Sequence, residues 1–118
     1  MKLPNADHAV IDIEKLRDYC LNPAHPEGKH KARVFLAALG IKAEDAERLS
    51  KLIREAILIE EATEQSSTPY GRRFIVDFQV KWEEKLVVTL VTIRTAWIIR
   101  NDEDFPRLTS CFIPQRRF

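Results

Sequence analysis

Residues Arg73-Phe74-Ile75-Val76-Asp77-Phe78-Gln79-Val80-Lys81 decide the fold. Phe74, Val76, Phe78 and Val80 alternate with Arg73, Asp77, Gln79 and Lys81, the two-residue period of a strand with one face covered. Just upstream the period is different. Ala46, Leu49, Leu52, Ile53, Ala56, Ile57 and Ile59 form a broad apolar stripe with charges opposite, which predicts a helix over residues 43–62. The change falls across Gln65-Ser66-Ser67-Thr68-Pro69, a loop by composition. A chain that is helical before this loop and extended after it is α+β. The expected architecture is a helical N-terminal half packed on a small antiparallel meander sheet of three to four strands.

The flanking segments fit that plan. Ile13, Leu16 and Cys20 predict a helix over 11–21, broken by Pro23 and Pro26. A second helix is expected over 29–39, with Ala32, Phe35, Leu36 and Leu39 inward and Gly40 as its left-handed stop. Trp82-Glu83-Glu84-Lys85 is expected to turn the first hairpin. The strands should span about 72–81, 86–100 and 107–113. The middle one is long, which predicts a bulge or bend. No repeat or low-complexity segment interrupts the 118 residues, so one domain over 1–118 is expected.

Composition narrows the setting. The chain is 45% apolar and 31% charged, suited to a packed core under a solvated surface. No apolar run approaches the roughly 20 residues of a membrane span. The first residues, Met1-Lys2-Leu3-Pro4-Asn5-Ala6-Asp7, lack the apolar run of a secretory signal. Cys20 and Cys111 are too few for a disulfide framework or a zinc site and read as core thiols in a reducing cytoplasm. A net charge of +1 argues against a polyelectrolyte binder. Acids gather at Glu60-Glu61, Glu64 and Asp102-Glu103-Asp104. Cations gather from Lys29 to Arg33 and at Arg107, Arg116 and Arg117. Such local clusters fit one phosphate group better than a long nucleic-acid track, or else form a solvated mosaic.

Gly28-Lys29-His30-Lys31-Ala32-Arg33 breaks a local rule. It sets three full cations and a histidine at a helix N-terminus, where the dipole already favours anions. Each cation there is unfavourable by about 0.3–1 kcal/mol. An absent anion would resolve the conflict, because helix amides and basic side chains together hold phosphate. The competing reading is a basic turn neutralised by solvent and by the acidic runs elsewhere. Histidine is the side-chain type that titrates near neutrality, which suits His30 to acid–base work. In Thr92-Ile93-Arg94-Thr95-Ala96-Trp97, alternation sets Thr95 and Trp97 on one face and Thr92 and Arg94 on the other. A hydroxyl beside an indole could bind a nucleotide by hydrogen bond and stacking; a strand tryptophan is otherwise core. No Asp/Glu/His cluster has metal-ligand spacing, and there is no Gly-rich nucleotide loop or nucleophile elbow. Chemistry on phosphate should therefore proceed with no metal and no cofactor.

Several runs resemble a family. Leu3-Pro4-Asn5-Ala6, Asp18-Tyr19-Cys20-Leu21-Asn22-Pro23 and His25-Pro26-Glu27-Gly28-Lys29-His30-Lys31-Ala32 through Phe35 are similar to an uncharacterised bacterial domain family. So are Thr95-Ala96-Trp97-Ile98-Ile99 and Phe105-Pro106-Arg107-Leu108-Thr109. Its members occur alone and at the C-terminal ends of secreted polymorphic toxins, so the resemblance implies a toxin context. In motif order the chain also resembles the colicin D-type tRNases of the barnase–EndoU–colicin–RelE group. These pair a helical Lys/His cluster with a later hydroxyl-x-Trp strand. That likeness implies acid–base and phosphate-stabilising roles for Lys29, His30 and Lys31, phosphate binding by Thr95 and packing at the site by Trp97. Threonine stands here where those enzymes have serine.

The expectation is a metal-independent endoribonuclease toxin, with transfer RNA a candidate substrate, that drives the RNA 2′-hydroxyl onto the adjacent phosphate. Its catalytic residues would be Lys29, His30, Lys31, Thr95 and Trp97. Arg33, Arg94, Arg100 and Thr109 would bind substrate. Its partner would be an acidic antitoxin or immunity protein, without a membrane. The alternatives are a non-catalytic partner-binding module, itself an antitoxin or immunity protein, and an RNA-binding accessory domain.

Overall fold

A computed structural model describes residues 1–84 and 87–114. The architecture is the expected α+β. A short helix α1 (Ile13–Lys15) runs into a π turn (Leu16–Cys20). Helix α2 (Lys29–Leu39) follows, and then α3 (Ala46–Ile59) behind a 3₁₀ turn (Ala43–Asp45). The second half is a meander of β1 (Ala62–Glu64), β2 (Gly71–Glu84), β3 (Val87–Arg100) and β4 (Arg107–Phe112). All neighbours pair antiparallel in sequence order. Among the described residues no helix is long and apolar enough to cross a membrane.

The helices cover one face of the sheet. Phe74, Val76 and Phe78 of β2 and Ile93, Trp97 and Ile99 of β3 are buried there. They pack with Leu16, Phe35, Leu39, Leu49, Ile53 and Ile57 from the helical layer. The alternation of 74, 76 and 78 is thus the covered face, while Asp77 and Arg94 stand opposite one another on the other side.

Local chemistry moved several boundaries. The first helix starts at Ile13 rather than residue 11, because Asp12 caps it: its Oδ1 accepts from the Glu14 amide at 2.9 Å. Val10 instead bridges to Arg107 beside the sheet. The third helix stops at Ile59, short of residue 62, and the chain turns extended at Glu60. Ala62 can then open a fourth strand, its amide donating to the Met1 carbonyl at 2.6 Å. Ile59, at the end of α3, is consequently 69% exposed; Leu36 on α2 is 47% exposed, and both were expected to face inward. Trp82 to Glu84 continue the strand up to the Glu84–Val87 pair, so they are not the turn. The expected turn residue Lys85, strand start Leu86 and terminal cations Arg116 and Arg117 lie outside the described residues.

Candidate functional site

The start of α2 is built by its own preceding loop. Gly28 occupies the N-cap without a side-chain cap, and the first turn holds no acid. His25 supplies the missing acceptors. Its Nδ1 accepts from the Glu27 and Gly28 amides at 3.0 Å each, and its carbonyl accepts from the Lys29 amide at 3.0 Å. With Nδ1 accepting two amides, the neutral imidazole carries its proton on Nε2. The helix-start amides at 27–29 are therefore taken, and an anion cannot be cradled by them as expected. Gly28 is there for space: a Cβ on it would lie 2.0 Å from the Tyr19 carbonyl oxygen. That contact seats α2 on the π turn, and the Tyr19 and His25 rings meet edge to face at 4.8 Å.

Successive helix residues are about 100° apart, so the basic cluster cannot all face one way. His30 and Arg33 are exposed and Lys29 is half-buried, and none has a side-chain partner among the described residues. Lys31 alone of the four turns toward β4. Its Nζ donates to Ser110 Oγ at 2.8 Å and Tyr19 Oη at 3.3 Å. It also sits 4.9 Å from the centre of the Tyr19 ring and 5.3 Å from that of Phe112, both within cation–π range. No carboxylate pairs with it among the described residues. This ammonium is half-buried between two hydroxyls and two rings, and is charge-unbalanced.

A bulge aims the β4 side of the site. Trp97 pairs with Leu108 but Ala96 pairs with Ser110, leaving Thr109 as an extra residue. Leu108 and Cys111 are both buried although three residues apart, which strict alternation forbids. The extra residue reconciles them and leaves Thr109 and Ser110, two adjacent hydroxyls, out of the core. The expected irregularity lies in the long strand's pairing, but the added residue belongs to its partner.

The remaining candidates separate. Thr95 is 0% and Trp97 1% exposed. Thr95 Oγ1 donates to the Val76 carbonyl at 2.7 Å and accepts from Trp97 Nε1 at 2.8 Å. Neither can meet a phosphate or a base. The roles carried over from the tRNase motif are thus corrected: the hydroxyl-x-Trp unit is a self-satisfied polar clasp inside the core. Arg94 lies on the opposite face from Thr95, as alternation requires, and is bound bidentately to Asp77 at 2.9 Å twice. The Asp77 hydrogen bonds raise its already high pKa. Its β4 register partner is Phe112. Arg100 is exposed and 3.9 Å from Glu103, and shares a small cleft with Thr109.

Tyr19, His25, Ser110 and Phe112 were not singled out as site residues. Tyr19 and His25 stood only within runs quoted for family likeness. A histidine three residues before a glycine that opens a basic helix is the signal that was available. Beneath the site, Cys20 and Cys111 are buried free thiols close enough to interact. Burial pushes the Cys20 thiol up and the Cys111 thiol well above its ordinary value, so both stay neutral and serve as packing. Among the described residues no three His, Cys, Asp or Glu side chains group so as to hold a metal. What the arrangement offers chemically is a partly desolvated cation, two hydroxyls and an imidazole N–H, the equipment to hold and polarise an oxyanion.

A family model described as a domain of unknown function, DUF6883, matches residues 2–115. No curated protein and no solved structure matches the chain.

Proposed function

Because the chain belongs to the DUF6883 family, whose description names no activity, we propose a function from the site: metal-independent cleavage of RNA centred on Lys31. The observation that carries it is the unbalanced Lys31 ammonium, held by Tyr19 and Ser110 from two other elements. A charge kept half-buried without a counter-ion is costly, and a phosphate oxygen seated between the hydroxyls would balance it. In this reading the 2′-hydroxyl attacks the adjacent phosphorus and the bond to the 5′-oxygen breaks. The products are a 2′,3′-cyclic phosphate and a free 5′-hydroxyl. Lys31, Tyr19 and Ser110 stabilise the charge that builds on the phosphate. Solvent water takes the proton of the 2′-hydroxyl and returns one to the leaving 5′-oxygen, while the His25 Nε2–H donates a hydrogen bond toward the phosphate. Such an activity harms the cell that makes it, so the reading includes a toxin role and an acidic antitoxin or immunity protein that covers Lys31.

Lys31→Met keeps the stem and removes the charge. Cleavage of an RNA oligonucleotide in excess chelator should fall by about 10² or more, the scale of one oxyanion-stabilising group, with the thermal midpoint nearly unchanged. A folded Lys31→Met protein that cuts as fast as the parent would end the proposal. So would cleavage that requires a metal or that proceeds on DNA.

A further inference from the structure

Lys31 accounts for one phosphate, yet the bulge turns two hydroxyls outward. The second, Thr109, has no hydrogen-bond partner among the described residues. It lines a cleft of about 140 Å³ with Asp12, Lys15, Arg100 and Arg107. The charges in that cleft are uneven. Asp12 is engaged as the cap of α1. Arg107 is fixed by Glu103 through two bonds of 2.8 and 2.7 Å, and Arg100 is a looser 3.9 Å from the same carboxylate. Lys15 has no carboxylate partner among the described residues. Three cations thus face two carboxylates, both already committed, around a free hydroxyl.

This cleft lies next to the Lys31 position along the chain. Thr109 and Ser110 are neighbours in the chain, about 3.8 Å apart at Cα. Lys15 and Tyr19 are four residues apart on one helical segment, and both Lys15 and Lys31 act electrostatically on Cys20 beneath them. The two positively charged spots therefore follow one another along the edge strand β4.

We propose that the cleft of Lys15, Arg100 and Thr109 is a second phosphate subsite, and that the substrate is a single RNA strand laid along β4. It rests on the reading of Lys31 as a phosphate site. Adjacent hydroxyls on one strand edge suit consecutive phosphates of one chain. A dinucleotide with one phosphate fills the Lys31 position alone; a trinucleotide with two fills both.

Fluorescence anisotropy with 2′-O-methyl oligonucleotides, which cannot be cut by 2′-hydroxyl attack, reads binding apart from cleavage. Lys15→Gln and Arg100→Gln should each weaken the labelled trinucleotide by about tenfold and leave the labelled dinucleotide unchanged. Each should also lower the slope of log affinity against log salt by about 1 for the trinucleotide. Equal affinities of the parent and both variants for the trinucleotide would overturn the second subsite. So would equal losses on both probes. Lys31→Met distinguishes the two levels: it should weaken both probes. If it weakens neither, the reading of Lys31 falls, whatever Lys15 and Arg100 do.

Discussion

On the helix-covered side of β3, the Thr95 hydroxyl donates a hydrogen bond to the Val76 carbonyl and accepts one from the Trp97 indole. One strand away and outside the core, Ser110 accepts a hydrogen bond from Lys31, whose charge nothing in the described chain neutralises. Both are hydroxyls in a strand. They differ in closure. The Thr95 clasp is complete within the protein, and a complete polar network in a core contributes order rather than reactivity. The Lys31 rim is complete only with something added. What separates the two polar groups is whether their hydrogen-bonding and charge requirements are met within the protein.

The hardest way to break that contrast is to cut into the clasp. Trp97→Ala should cost about 3–5 kcal/mol of stability, the range for removing a buried aromatic side chain. Urea titration reads it. A variant that stayed as stable as the parent while losing RNA cleavage would return Trp97 to the site. Thr95→Val is gentler and more pointed, since it keeps the shape and removes the hydroxyl. The indole N–H is then left without its acceptor, at about 1–3 kcal/mol. Cleavage by the folded fraction should persist, and a drop at unchanged stability would contradict the comparison.

How far the sequence carried the reading can be judged from the same residues. The sheet was legible because Phe74, Val76 and Phe78 obey a strict period, and α3 because its stripe runs for several turns. β1 was missed since three residues, Ala62–Glu64, show no period at all. Leu36 and Ile59 were misplaced because apolar type was taken for position, and helix ends and margins are where that fails. At the site, Lys31 was found but its partners were not. Tyr19 arrives through a π turn and Ser110 through a bulge, and each shifts side-chain direction by one residue without a compositional mark. Thr95 was misassigned against available information. Arg94 on the opposite face, with Ile93, Trp97 and Ile99 on the same one, already marked Thr95 as inward.

The smallest expected effect concerns the acid limb of stability. The hydrogen-bonded Arg107 guanidinium, helped by Arg100, holds the Glu103 carboxyl below the usual carboxylate range. A depressed folded value means that its contribution is present above the unfolded value of about 4.3 and fades as pH falls through the folded one. Thermal midpoints of Glu103→Gln should therefore lie slightly below the parent at pH 6, with the gap closing toward pH 3. A gap that widens as pH falls would show that Glu103 does not act as an ionised partner of the second cleft.

The Lys31–Ser110 bond joins residues 79 apart in sequence. The β2–β3 pairing and α2 draw on residues near one another in sequence, but the Lys31–Ser110 contact needs two distant segments at once. Contacts of such long span close late, after local ones have shrunk the search. During synthesis the N-terminal segments come first. A growing chain thus carries Lys31 for a further 79 residues before Ser110 is made. Docking of β4 acts as a timer: until that strand has been made and has found its edge, Lys31 lacks its Ser110 partner.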